Sequence, residues 1–76
     1  MALLNKLEEK SPDRYSVHKP IEGTYMAFSE SGKRYVQIDT YGSAARQVPG
    51  KISQSIQLDE ALAKQLWTIL SKEFDL

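Results

Sequence analysis

The stretch "TYMAFSESGKRYVQIDTY", residues 24–41, decides the fold. Side-chain character alternates with period two on both sides of "SESGK", and the alternating residues are β-branched and aromatic. That combination is the signal of paired strands. In the second half Val36, Ile38 and Thr40 share one face, and Tyr35, Gln37, Asp39 and Tyr41 share the other. In the first half Thr24, Met26 and Phe28 fall on one face, and Tyr25 and Ala27 on the other. Setting Phe28 opposite Val36 and Met26 opposite Ile38 predicts a three-residue loop at Ser31-Gly32-Lys33, where Gly32 supplies the backbone freedom.

Downstream, residues 42–50 form a long connection. Pro49 and Gly50 stand at the central positions of Val48–Lys51, which favours a type II turn. A third strand is expected over 51–58, with Ile52, Gln54, Ile56 and Leu58 turned inward and Ser53, Ser55 and Gln57 outward. Asp59 suits a helix N-cap, because its carboxylate accepts the free amide hydrogens of a first turn. Glu60 adds negative charge where the helix dipole favours it. The spacing predicts a helix over 60–73. Leu62, Leu66, Ile69, Leu70 and Phe74 form its apolar stripe, with Ala63 and Trp67 at the edge. Trp67 is expected to pack into the core.

Upstream, Leu3, Leu4 and Leu7 stand at helical spacing, so residues 2–10 read as a short helix. Nine residues are marginal as an isolated helix, so this one must dock or fray. Ser11-Pro12 ends it. Tyr15 and Val17 alternate in 13–20, as in a strand or an extended arm. The expected fold is α+β: a three-stranded antiparallel sheet with a C-terminal helix packed on one face, plus a short N-terminal helix or arm. Residues 1–20 form that helix or arm, and 21–76 a β-β-β-α core. The whole is one small domain.

Seventy-six residues bury a smaller share of their surface than a longer chain does. Small scaffolds draw extra support from disulfides, metals or a second subunit. With no cysteine, disulfides and thiolate metal sites are excluded, leaving association as the available support. Ten basic residues balance ten acidic ones. The balance is uneven: Lys33, Arg34, Arg46 and Lys51 face only Asp39 within 33–57, while the last nineteen residues are acidic. No apolar run reaches the roughly 20 residues that span a bilayer. "MALLNKLEEK" is too short and too charged for a signal peptide, so a cytoplasmic location without membrane contact is expected.

Catalytic chemistry is poorly supplied. His18 is the only histidine and lies beside Lys19. No Cys/His cluster suits zinc, and the spacing of Asp13, His18 and Glu22 does not demand a metal. Gly32-Lys33 lacks the rest of a phosphate loop. Asp39 is the only acid in the middle of the sheet, too few for a two-metal centre. The chain therefore reads as a non-enzyme with no cofactor and no metal.

What remains is the sheet face away from the helix. It is expected to present Tyr25, Tyr35, Gln37, Tyr41, Ser53, Ser55 and Gln57. Antiparallel sheets commonly keep one wet face, so this row can be solvated and nothing more. Tyrosine is also enriched at interfaces, which makes the row a candidate surface for a protein partner or for self-association as a homodimer. A nucleic-acid surface built from Arg34, Arg46, Lys51 and the tyrosines is the alternative. Zero net charge gives that alternative little counterion release. The layout of three strands and a helix resembles, in shape and not in motif, small sheet-reading DNA-binding domains such as the plant AP2-type and integrase-arm domains.

The string "YVQIDTYGSAARQVPGKISQSIQLDEALAKQL" resembles a group of short bacterial proteins that share an "IDTYG" strand end, a "PGK-SQ-IQLD" strand and a closing helix. The resemblance spans about residues 34–74, and "MALLNKLE" also fits. Some members carry a formyltransferase-like label. Seventy-six residues are too few for folate-binding and catalytic parts, and no motif surrounds His18, so no catalytic residue carries over. The resemblance implies a stand-alone bacterial protein, with mobile DNA as its suggested source.

Overall fold

The computed structural model describes residues 1–42 and 50–76. Four strands and one helix follow in chain order: β1 (Ala2–Leu4), β2 (Gly23–Glu30), β3 (Lys33–Thr40), β4 (Gln54–Leu58) and α1 (Glu60–Phe74). The strands form one sheet in the order β1-β4-β3-β2. β2 pairs antiparallel with β3 and β3 with β4, whereas β1 pairs parallel with β4. The fold is α+β, as expected, but the sheet has four strands and is mixed.

The N-terminal helix is not formed. Residues 2–4 instead extend the sheet, with Ala2 opposite Ile56 and Leu4 opposite Leu58. A nine-residue helix has few internal bonds to offset its nucleation cost, whereas β4 offers a row of backbone groups on its open side. Residues 5–22 then run without helix or strand, and all but Leu7 are exposed. The Leu7 carbonyl accepts a hydrogen bond from Gln65 Nε2 at 2.6 Å, which ties this arm to α1.

The β2–β3 hairpin differs from expectation by one residue, and the consequence is large. Phe28 lies opposite Tyr35 and Met26 opposite Gln37, with Glu30 and Lys33 closing the ladder. The loop is therefore the two residues Ser31 and Gly32, not three. Both have positive φ, 52° and 77°, as a type I′ turn requires, and that turn matches the strand twist. The side-chain period is two, so the slip exchanges the faces of β2. Tyr25 and Ala27 join Val36 and Ile38, while Met26 and Phe28 join Gln37 and Tyr35. Both faces of β2 are apolar enough to be buried, so alternation alone did not fix the register. The Phe28 and Tyr35 rings stack across the strands with centroids 5.5 Å apart.

The third expected strand is shorter than 51–58: it starts at Gln54, leaving Ile52 and Ser53 outside. Gly50 has φ 84°, but Val48 and Pro49 of the expected turn lie outside the described residues. The helix is as read from sequence, one residue longer. Asp59 caps it, its Oδ1 accepting the Leu62 amide at 2.9 Å, and Glu60 and Lys72 sit at the ends that suit their charges. Asp75, in the left-handed region, closes the C-terminus by donating its amide to the Ser71 carbonyl.

The helix lies on the side of Val36 and Leu58, because a cleft of about 550 Å³ is lined by Ala27, Val36 and Leu58 together with Ala61 and Ala63. Little is enclosed there. Among the described residues the buried apolar side chains are Leu58 and Leu62, 7% and 4% exposed. Trp67, expected in the core, is 68% exposed.

Candidate functional site

Two surfaces result from this register. The polar face carries Tyr35, Gln37 and Asp39 of β3, Ser55 and Gln57 of β4, and Thr24, Met26 and Phe28 of β2. Gln37 stands opposite Gln57, and Asp39 opposite Ser55. Cross-strand neighbours lie close enough to bond, and they do. Gln57 Nε2 donates to Gln37 Oε1 at 2.8 Å, and Gln37 Nε2 donates to Asp39 Oδ1 at 2.9 Å. Ser55 Oγ donates to the same Asp39 oxygen at 2.5 Å. The row is thus a chain of side chains ending on one carboxylate.

Asp39 and Ser55 are 7% and 4% exposed, so the end of this chain is shut away from water. The Ser55 and Gln37 hydrogen bonds stabilise the carboxylate and hold the Asp39 pKa below its ordinary value, and desolvation opposes them without reversing the direction. No buried side-chain nitrogen or oxygen among the described residues lacks a partner. Much of the hydrogen-bonding capacity that the sequence displays is therefore spent within the sheet.

The expected partner-binding set is only partly brought together. Tyr35, Gln37, Ser55 and Gln57 do share a face. Tyr25 is on the opposite one, moved there by the hairpin register. Ser53 precedes β4, and its amide donates to the Thr40 carbonyl at 2.6 Å. Tyr41 follows β3, its hydroxyl sharing a 2.8 Å hydrogen bond with Thr24 Oγ1.

The basic set converges less. Arg34 is at the turn end of β3, where its Nη1 donates to Ser29 Oγ at 2.8 Å. Lys51 lies three residues before β4, whose first residue Gln54 stands opposite Thr40, six residues along β3 from Arg34. Arg46 lies outside the described residues. His18 lies on the exposed arm with Arg14, Tyr15 and Ser16 around a shallow depression. Among the described residues no group of three or more His, Asp or Glu side chains is placed to hold a metal. No described helix is long and apolar enough to cross a membrane.

The second surface was not singled out by sequence reading. It comprises the exposed apolar side chains Tyr25, Ile38 and Ile56 on the sheet and Ile69, Leu70 and Phe74 on α1, with Leu66 half-buried. Ile38 and Ile56 are 40% and 43% exposed, and Phe74 69%. Its sequence signal is the helix stripe, which by periodicity alone reads as a core-facing stripe. Comparison with known proteins matched the chain to no family model, no curated protein and no solved structure.

Proposed function

We propose that this chain is a non-catalytic interaction module that binds protein through the apolar side of its sheet and helix. One observation supports the reading above the others: among the described residues the enclosed apolar side chains are Leu58 and Leu62, while Ile69, Leu70 and Phe74 of the helix stripe and Ile38 and Ile56 are exposed. Large apolar side chains left exposed on one side of a small domain mark protein interaction sites. The polar face, with its side chains bonded to one another, is the supporting half of the sheet and a weaker candidate for contact. The nucleic-acid alternative has less behind it, since Arg34 is engaged with Ser29 at the turn end of the hairpin and the chain carries no net charge.

The test is the accessibility of that surface in the purified protein. An environment-sensitive apolar dye should bind whenever the chain is monomeric and be displaced on association. A stable monomer that binds no dye has its apolar side covered by its own residues, and that result removes the proposal.

A further inference from the structure

We propose that the partner is a second copy of this chain, joined by antiparallel pairing of the two β2 strands about a two-fold axis perpendicular to the sheet. This rests on the interaction reading above and gives it an occupant and a geometry.

The first argument is area. The chain exposes 7153 Å². A compact monomer of 8.6 kDa exposes about 4,700 Å². The radius of gyration, 14.7 Å, likewise exceeds the roughly 11 Å of a compact 76-residue domain. The excess surface is about 2,400 Å². The exposed arm of residues 5–22 shares in that excess, and a standard stable interface takes roughly 800 Å² per partner.

The second argument is the edge. β1 is a three-residue edge, too short to recruit another chain, but β2 is an edge of eight residues. It has no proline, no lysine and no bulge, since its register with β3 is continuous from Gly23 to Glu30. Those are the devices by which monomeric proteins blunt an edge. The Tyr41 amide donates to the Glu22 carbonyl, so by alternation the backbone groups of Thr24, Met26, Phe28 and Glu30 face β3. Those of Tyr25, Ala27 and Ser29 face away, ready for another strand.

The third argument is that one symmetry operation answers both. A perpendicular two-fold axis keeps each sheet face on its own side, giving a continuous eight-stranded sheet from two four-stranded ones. Tyr25 and Ala27 of both copies then meet near the axis on the apolar side. Both α1 helices start on that same side, where Ala61 and Ala63 line a cleft with Ala27, Val36 and Leu58.

Sedimentation equilibrium of the full chain should give twice 8.6 kDa at micromolar concentration. In the dimer the amides of Tyr25, Ala27 and Ser29 should exchange with solvent as slowly as those bonded within the hairpin. Ala27→Pro removes an outward amide and leaves the β2–β3 bonds in place. It should weaken the dimer by about 100-fold or more while the monomer keeps its hairpin. If that variant does not fold, Tyr25→Lys decides, since it sets like charges near the axis at a site 80% exposed in the single chain. A folded monomer of either variant supports the proposal. A wild-type monomer at 100 μM overturns it, as does a dimer that persists in folded Ala27→Pro or, where that variant is unfolded, in Tyr25→Lys. A wild-type monomer that binds the apolar dye leaves the interaction reading standing with a different partner, and one that excludes the dye removes both.

Discussion

Gly32→Ala tests the turn on which the two faces of the molecule depend. An added methyl would meet nothing within 4 Å at this position, so no steric clash contributes. What remains is the backbone, held at φ 77°. An L-residue in that left-handed region costs about 1–2 kcal/mol. Loss of glycine's freedom in the unfolded chain returns about 0.4–1 kcal/mol. The net loss is then about 0–1.6 kcal/mol, centred on about 0.8. With a urea slope of about 1 kcal/mol/M for so small a protein, the midpoint should fall by about 0.8 M. Wild type and variant are compared at one fixed protein concentration, since association would otherwise shift both. In a three-residue loop over 31–33 the left-handed residue would be Lys33, and Gly32 would accept alanine without penalty. An unchanged or raised midpoint would therefore refute the two-residue turn and return Tyr25 to the polar face.

Three further outcomes are expected. Folding lowers the Asp39 pKa beneath its ordinary 3.8, so the network's contribution is complete above that value and is lost as pH falls through the folded value below it. The gap in urea midpoint between wild type and Asp39→Asn should thus be widest near neutral pH and close in strong acid; a gap independent of pH would exclude an ionised Asp39 as its source. Asp59→Ala removes the acceptor of the Leu62 amide and should cost about 1 kcal/mol with some loss of helical circular dichroism. Leu62→Ala should cost about 2–5 kcal/mol, enough to unfold a marginal domain, and a mild effect there would mean that the core lies elsewhere.

Where sequence and structure agree, the local signal had one physical meaning. The Asp59 cap and the helical stripe agree with each other, so α1 was legible almost to the residue. The period-two pattern of residues 33–40 likewise admits one strand, with Val36 and Ile38 on one side and Gln37 and Asp39 on the other. β2 was legible as a strand but not in register, because Tyr25 and Ala27 are as compatible with an apolar face as Met26 and Phe28. Turn chemistry decided the matter, and it depended on Ser31 taking a conformation more often given to glycine or asparagine. β1 was illegible for a different reason: "ALL" has no periodicity, and only the distant strand β4 makes it extended. The polar row could be read as a row. That its members bond one another, with Asp39 as the terminus, needed the cross-strand pairing of β3 and β4.

The parallel pairing of β1 with β4 also sets an order of events during synthesis. The hairpin of β2 and β3 joins neighbours in the chain and can close as soon as both have left the ribosome. Ala2 emerges long before its partner Ile56, so β1 stays open until β4 arrives. Such distant contacts raise the contact order and slow folding. In the nascent chain Leu3 and Leu4 thus stay unpaired until residues 56–58 have followed them.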